Sequence, residues 1–459
     1  MFVRTLSRHL DTDAEDRSHN KLTRDEFCSR VSEFSSVSSS VSPNMSEVPS
    51  KVSEITPEWL SSALSDPQTE VVVKSITVRG GIKTGDNFTS ELLMVDVDLT
   101  HNGTPDNPSF AIKPSPENDE MKFLLSKTRS FYKEIEIYSK VIPDLVNMQY
   151  PRPRPLHPKV PRYYFGKIED GNAILIMENM MKKGFRMHSK QVVMDDRHVR
   201  LVLTELATFH ALAHIRIRTC DPSKMYPHVS FLWNDEAFFK IFISGVVAGL
   251  ESVRGVPGNE EIVDKLMARV RDPSLYRNIM AMRDNPSHPM LTITHGDTWN
   301  NNLLFRYGED GGPEEVCFVD WQLACVSPPT VDLTYFLFAS TSADFRQRSL
   351  RDVLQHYYQH FFHTLSQFKG PFVTADEYPF EQLYQELIES AIFGVMISVV
   401  VIPLTLSQTI GRFKSIQDVE EGMSAAGSRD SGEVQKLIGE RLNDLLQDPL
   451  VRDLVATLK

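Results

Sequence analysis

Alternating apolar and polar positions mark five segments between residues 71 and 180 as β-strands. They are rich in Val, Ile and aromatic residues, and turn residues separate them. One further segment instead has Phe131, Glu134, Ile135 and Tyr138 at helical positions i, i+3, i+4 and i+7. The predicted strands are VVVKSITV, ELLMVDVDL, SFAIKP, RYYFGKI and AILIMENM, and the predicted helix is MKFLLSKTRSFYKEIEIYSKVIP.

Helical spacing dominates the chain after Gly184. In RHVRLVLTELATFHALAHI, for example, Leu201, Leu206 and Phe209 share one helical face, and only MLTITHGD and EVCFVDW have strand character. A β-rich first half followed by a helical second half predicts an α+β protein. We expect two lobes: a small β-rich N-lobe over residues 55–180 with one inserted helix, and a larger, mostly helical C-lobe over residues 181–459.

Residues 1–50 have a different composition, polar and rich in Ser. Such a segment buries too little apolar surface to offset the entropy lost on ordering, so we predict a disordered tail. Arg4 and Arg8 weakly resemble a transit peptide, but four acidic residues follow directly, which disfavours targeting. Order is expected from Ile55, because Thr56 and Pro57 form a helix start signal.

An uncharged apolar run, residues 390–411, is long enough to cross a bilayer. Its strongly apolar part is shorter and ends near Pro403, with Ser, Thr and Gln following. We therefore interpret it as a buried core helix and expect no membrane span.

Composition narrows the function classes. The net charge of −12 argues against a nucleic-acid-binding surface, although a local basic pocket remains compatible with it. Four cysteines in 459 residues give neither a disulfide framework nor a zinc-site spacing. A reducing, cytoplasmic location is the expectation.

The densest chemical pattern is LTITHGDTWNNNLLF followed by EEVCFVDWQ. A strand delivers His295 and Asp297, Asn302 follows five residues after Asp297, and a second strand ends at Asp320. Phosphoryl transfer uses this spacing. Asp297 would orient the attacking hydroxyl and accept its proton, while Asn302 and Asp320 would bind Mg²⁺ as hard oxygen ligands. We interpret His295 as structural rather than as a base.

Residues N-terminal to this pattern occur in the order that a phosphoryl-transfer site requires. Lys113 lies on the third predicted strand, where a lysine contacts the α- and β-phosphates of ATP, and Glu134 on the next helix can pair with it. Asn87 and Ser90 lie in a glycine-rich turn whose backbone amides can cover phosphates. The last predicted strand leads through Glu178 and Met180, where a linker between the lobes would contact the adenine through its backbone.

The chain resembles the ecdysteroid-kinase-like (CHK kinase-like) family, which is related to choline kinases and aminoglycoside phosphotransferases. The matching segments are GDNFTSEL, FAIK, FYKEIEIY, LIMENM, LATFHALA, HGDTWNNNLLF and FVDWQLACVSPPTVDLTYFLFAS. The resemblance implies a protein-kinase-like fold and ATP-dependent phosphorylation of a small-molecule hydroxyl. It gives the catalytic role to Asp297, metal binding to Asn302 and Asp320, and phosphate contact to Lys113. Asp332 is expected to brace the catalytic loop.

Several alternatives stay open. The chain could be a catalytically silent pseudokinase that acts as a binding scaffold, although its site residues are complete. The acceptor could be an ecdysteroid or other hydrophobic alcohol, or choline or ethanolamine, which would need an aromatic or acidic cage. The aromatic stretch of residues 231–243 is a candidate acceptor wall or a core element. His210 and His214 have metal-ligand spacing, but we favour packing. Residues 152–158 fit an SH3-ligand pattern, but we interpret them as a stiff loop.

Overall fold

The computed structural model describes residues 47–79, 92–231, 236–407, 416–425 and 430–457. Two lobes follow one another along the chain, the first built on a β-sheet and the second on helices. This is the bilobal, protein-kinase-like α+β fold that the sequence predicts.

An antiparallel sheet forms the N-lobe, and all five predicted strands are present in it. Their order is β1-β2-β4-β6-β5, and a short sixth strand, β3, pairs with the last three residues of β2. The sequence analysis missed β3, although Asn102 and Gly103 form the positive-φ turn that an Asn-Gly pair favours in a hairpin. The strands are β1 Val71–Arg79, β2 Leu93–His101, β3 Thr104–Asp106, β4 Ser109–Pro114, β5 Tyr163–Glu169 and β6 Asn172–Glu178.

The predicted single inserted helix is broken in the structure. Helix α2, Asp119–Lys127, ends before Arg129, whose φ of +57° is left-handed. Helix α3, Ser130–Glu136, then starts in a new direction and continues through a π-helical turn, Ile137–Val141, into α4, Ile142–Asn147. The helical spacing of apolar residues runs through the break, so the sequence pattern did not reveal it. Arg129 holds the new direction by donating to Pro227 O at 3.3 Å and stacking on Phe231.

The described chain enters the N-lobe earlier than Ile55. Val48 is buried in the sheet's core, and its N–H donates to the Glu169 carboxylate at 3.1 Å. Residues 47–50, which we assigned to the tail, therefore pack on the lobe, and residues 1–46 lie outside the described residues. Helix α1, Pro57–Leu64, starts as predicted, with Thr56 Oγ1 accepting from Trp59 N.

Helices form most of the C-lobe, and the candidate site residues Asp297 and Asp320 follow two of its short strands. Strands β7 and β10 flank β9, and β8 pairs with β11. The C-lobe strands are β7 Phe185–Met187, β8 Thr292–Thr294, β9 Leu303–Tyr307, β10 Pro313–Phe318 and β11 Cys325–Ser327. The C-lobe helices are α5 Asp196–Thr219, α6 Pro222–Met225, α7 Glu236–Ser252, α8 Glu260–Val270, α9 Ser274–Arg283, α10 Thr330–Ser340, α11 Ala343–Ser366, α12 Phe380–Leu406, α13 Ile416–Ala425, α14 Gly432–Gln447 and α15 Pro449–Thr457.

Residues 390–406 of the long apolar run lie in α12, which packs against α10 and α7. Among the described residues, α12 is the one helix long and apolar enough to cross a bilayer, but 72% of its most apolar window is buried within the protein. Two glycines allow close packing: Gly394 lies against Phe338 of α10, and Gly249 of α7 lies against Val399. These contacts support the interpretation of α12 as a core helix.

We predict that Gly249→Ala destabilises the protein. The added Cβ would lie 2.5 Å from Val399 Cγ1 and 2.8 Å from Val399 O, so the two helices must separate. Such overpacking costs about 1–3 kcal/mol. Gly439→Ala on α14 is the matched control, because its Cβ would meet nothing within 4 Å and should stabilise the helix by up to about 1 kcal/mol. Denaturant unfolding measures both, and equal shifts would contradict the α7–α12 packing.

Candidate active site

The segment predicted as the catalytic loop, residues 295–302, begins where β8 ends at Thr294 and passes very close to the chain that leads into β11. Gly296 has a φ of +79°, and a Cβ there would lie 2.3 Å from Leu323 O. Only glycine fits this position, because both the backbone conformation and the space exclude a side chain. The close approach brings Asp297, the next residue, towards the strand-end segment that carries Asp320.

The Asp332 side chain fixes the backbone of this loop by hydrogen bonds. Its carboxylate, fully buried at the first turn of α10, accepts from His295 N at 2.7 Å and from Gly296 N at 2.8 Å. The Asp332 backbone O also accepts from Thr298 Oγ1 at 3.1 Å. Asp332 therefore has the bracing position that the family resemblance implies.

The hydrogen bonds of His295, His210 and His214 support a structural role for each. His295 Nε2 donates to Val319 O at 3.0 Å, and its Nδ1 accepts from Asp297 N at 3.3 Å, an arrangement of the neutral ring. Burial lowers the pKa of His295, which also favours the neutral form. His210 bonds to Tyr357 and Asp332, while His214 bonds to Leu291 O, so the pair serves packing rather than a shared metal.

Asp297 lies almost buried, at 9% exposure, between two side-chain donors. Tyr335 OH donates to Oδ1 at 2.7 Å, and Asn302 Nδ2 donates to Oδ2 and to the Asp297 backbone O, both at 2.9 Å. Burial, and then the nearby charge of Asp320, raise the pKa of Asp297 to about 7, although the hydrogen bonds from Tyr335, Asn302 and Trp299 oppose this rise. The donors thus hold the Asp297 carboxyl in one orientation, and its pKa lies near neutral pH.

Lys113, on strand β4 of the N-lobe, contacts Asp320 of the C-lobe at the candidate site. Its Nζ donates to Glu134 Oε2 and to Asp320 Oδ1, each at 2.7 Å. Burial alone would lower the pKa of Lys113, but the carboxylates of Asp320 and Glu134 outweigh it, and the pKa lies above its ordinary value. The lysine side chain is only 4% exposed. The predicted pair Lys113–Glu134 is therefore present, with Asp320 as a third partner that the sequence did not reveal.

A divalent cation fits the acidic end of this site. The described side chains that meet here carry three carboxylates, Glu134, Asp297 and Asp320, against the single ammonium of Lys113. Asn302 uses its amide NH₂ on Asp297, which leaves the amide oxygen as a further hard ligand. No cluster of three or more His, Cys, Asp or Glu residues that could hold a metal unaided occurs among the described residues. A cation here would need oxygens from a bound nucleotide.

The segment between the lobes follows β6. Glu178 N donates to Arg162 O and Asn179 N donates to Ser109 O, so both backbone donors are committed. The Glu178 carboxylate pairs with Lys183 at 2.6 Å. Met180 then opens a 3₁₀ turn, Met180–Lys183. Of the two linker residues predicted from sequence, Met180 is better placed to offer its backbone N–H to a ligand. The predicted phosphate-covering residues Asn87 and Ser90 lie outside the described residues.

Sequence reasoning missed Tyr335 as a site residue. Tyr335 follows Asp332 by three positions on α10, so both side chains lie on one helical face. Given that Asp332 was expected beneath the catalytic loop, this spacing could have identified Tyr335 as a neighbour of the loop.

The fold and this arrangement define the class as kinase-like. The chain belongs to the ecdysteroid kinase-like family, whose model matches residues 84–370. Among curated proteins, 4-hydroxytryptamine kinase of Psilocybe cubensis is 25% identical over 146 residues, 30% of this chain. The match spans about a third of that relative's length, 34%.

Two solved structures are similar to the chain at low identity. One is the AMP-bound complex of a spectinomycin phosphotransferase, 13% identical, with 80% of this chain and 91% of that chain covered and a TM-score of 0.29. The other is the PknI kinase domain of Mycobacterium tuberculosis, 13% identical, with 77% and 96% covered and a TM-score of 0.28.

We predict that Tyr335→Phe lowers phosphoryl-transfer turnover by about 10- to 100-fold without unfolding the protein, because a hydrogen bond to a charged group contributes about 1.5–3 kcal/mol. Steady-state kinetics and thermal unfolding measure the two effects. Tyr378→Phe is the control, since Tyr378 lies in the C-lobe core and its hydroxyl donates to Glu386 and not to Asp297. Equal turnover in wild type and Tyr335→Phe would contradict the orienting role.

Proposed function

We propose that this protein is an ATP- and Mg²⁺-dependent phosphotransferase that phosphorylates a hydroxyl of a small molecule. The observation that carries the proposal is the convergence of Asp297, Asn302 and Asp320 with the Lys113–Glu134 pair. Family membership supports the same reaction class.

Each group then has a defined task. Lys113, held by Glu134, contacts the α- and β-phosphates, and the Met180 backbone contacts the adenine. Asn302 and Asp320 hold Mg²⁺, which neutralises charge on the phosphates when bound. Asp297 orients the acceptor hydroxyl and takes its proton. Tyr335 donates to one carboxylate oxygen and Asn302 to the other, so the group that would accept this proton is held in one orientation.

The space beside the catalytic loop supports a small acceptor rather than a protein. Protein kinases usually have a lysine two residues after the catalytic aspartate, and here that residue is Trp299. From Asp320 the chain passes through the short strand β11 and enters α10 at Thr330. This leaves little room for a segment on which a peptide could dock.

The acceptor itself is proposed at the level of class. A hydrophobic alcohol, with ecdysteroids as one candidate, is our first proposal, and choline or ethanolamine is the second. In the aromatic stretch, Phe239 packs on Tyr276 and Phe242, and both phenylalanines pack against the C-lobe core. These contacts favour the core alternative for Phe239 and Phe242 over an acceptor wall. The name of the curated relative indicates an aromatic alcohol as a compound to test.

A combined screen tests the proposal. Thermal shift and Mg-ATP turnover should be measured with ecdysteroids, choline, ethanolamine and 4-hydroxytryptamine. We expect stabilisation by Mg-ATP and turnover with at least one hydrophobic alcohol. Stabilisation by Mg-ATP without turnover of any acceptor, and without intrinsic hydrolysis, would favour the pseudokinase alternative.

We predict that Asp297→Asn keeps Mg-ATP binding but loses turnover by about 10²–10⁴-fold, because Asn cannot accept the hydroxyl proton. Asp320→Asn should weaken Mg-ATP binding as well, because it removes a metal-directed charge. Turnover and calorimetric Mg-ATP affinity separate these effects.

Asp310→Asn serves as the control for both variants, since Asp310 lies in the exposed β9–β10 turn and pairs with Arg197. The roles of base and metal ligand would be wrong if Asp297→Asn turned over normally. They would also be wrong if Asp320→Asn bound Mg-ATP as tightly as wild type.

A further inference from the structure

Helix α3 is attached to the C-lobe by a second set of contacts, separate from those of Lys113. They come from residues 225–231, named the clamp segment, which begin at the last residue of α6 and lead towards α7. Glu134 faces Lys113, while Glu136, two positions later and therefore on another side of the helix, faces the clamp segment. Two carboxylates thus connect one short helix to two different neighbours.

Glu136 makes the central contact with the clamp segment. Its Oε2 accepts from His228 N at 3.0 Å and from Val229 N at 2.8 Å, so two consecutive backbone donors share one carboxylate oxygen. Glu136 is buried, and Val229 is fully buried. Burial raises the pKa of Glu136, and the bonds from Val229 and His228 oppose this rise. Because a buried N–H without an acceptor is costly, loss of the Glu136 side chain would detach the clamp segment from α3.

Contacts at the start of α3 reach the same segment. Arg129 Nη1 donates to Pro227 O at 3.3 Å, and its guanidinium lies 4.0 Å from the centroid of the Phe231 ring. One turn later, the Tyr132 and His228 rings pack with 4.7 Å between their centroids. Tyr132 is 38% exposed, so these contacts lie nearer the surface than the buried contact of Glu136.

The end of the helical run contributes two further contacts. Lys140 Nζ donates to Met225 O, and Tyr226 OH donates to the carboxylate of Asp144 in α4 at 2.7 Å. The same carboxylate accepts from Arg216 of α5 at 3.3 Å. Residues that recur every three or four positions therefore face the C-lobe along the whole run, and they are Arg129, Tyr132, Glu136, Lys140 and Asp144.

The clamp segment also connects α3 with the strands at the candidate site. While Val229 N donates to Glu136, Val229 O accepts at 3.2 Å from Val326 N, in the centre of β11. Strand β11 pairs with β8, whose last residue, Thr294, precedes the predicted catalytic loop. One buried residue, Val229, thus joins α3 to the pair of strands from which that loop extends.

We propose that Glu136 is a positioning residue, which fixes α3 to the C-lobe so that Glu134 already holds Lys113 before a nucleotide binds. This inference rests on the proposed function, because Lys113 is the group assigned there to the phosphates. Glu136 acts through α3 rather than on the substrate. Since Glu134 and Glu136 lie within one turn of the same helix, releasing Glu136 allows Glu134 to move away from Lys113.

Hydrogen–deuterium exchange of residues 130–141 tests the attachment without an acceptor. We expect equal protection in wild type with and without Mg-ATP, because the clamp contacts are made by the protein alone. Glu136→Ala should exchange faster by about tenfold or more, because it removes the acceptor of two buried backbone donors. Protection that appears in wild type only when Mg-ATP binds would overturn the proposal.

Glu136→Gln separates the positioning role from the charge. Since both backbone donors use a single oxygen of Glu136, the side-chain oxygen of Gln can accept both bonds. This variant should keep most of the wild-type protection and Mg-ATP affinity, whereas Glu136→Ala should bind Mg-ATP about tenfold more weakly. Calorimetry well below the Tm of each variant measures the affinity. Equal affinity in wild type and Glu136→Ala would overturn the positioning role, even if the Tm of the variant falls.

Ser139→Ala is the matched control. Ser139 is exposed on the π-helical turn, and its hydroxyl donates to Ile135 O within the same helical run. Its exchange and Mg-ATP affinity should equal those of wild type. Arg129→Met removes the bond to Pro227 O and serves as a second clamp variant if Glu136→Ala does not fold. It should also increase the exchange of residues 130–141, and unchanged exchange in every clamp variant that folds would overturn the proposal.

The positioning role and the proposed function can fail separately. A wild type that does not bind Mg-ATP would count against the proposed function, while exchange without nucleotide still decides whether Glu136 holds α3. A wild type that binds Mg-ATP, with equal exchange of α3 in wild type and Glu136→Ala, would overturn the positioning role and leave the proposed function standing.

Discussion

A single buried ammonium connects the parts of this protein that must act together. Lys113 lies on the N-lobe sheet, Glu134 on the inserted helix and Asp320 in the C-lobe, and one Nζ reaches both carboxylates at 2.7 Å. In a low-dielectric environment these attractions are strong, and removing the Lys113 ammonium would leave two carboxylates without a counter-charge. The position of α3 is consequently coupled to the position of Asp320, so the packing of the lobes and the geometry of the candidate site depend on the same contact.

The catalytic loop relies on a second buried carboxylate with a different task. Asp332 satisfies the backbone N–H groups of His295 and Gly296, which would otherwise be buried donors without partners. Tyr335, one turn later on the same helix, reaches Asp297 directly. Helix α10 therefore fixes both the loop and the side chain that the loop presents. Since α10 packs on α12, the long apolar helix supports the site through α10.

The sequence by itself determined the five long strands of the N-lobe, the helical C-lobe and the family, because alternation, helical spacing and the HGD and VDW segments are local patterns. Spacing also selected Lys113, Glu134, Asp297, Asn302 and Asp320, whose roles remain predictions.

The tertiary structure alone decided contacts between residues far apart in the chain. The break at Arg129 depends on the chain near Phe231, about a hundred positions away, which helical spacing does not contain. The bond from Tyr335 to Asp297 likewise arises where distant elements meet. Burial decided the charge balance as well, since the sequence gives the number of carboxylates and ammonium groups but not which of them share one buried volume.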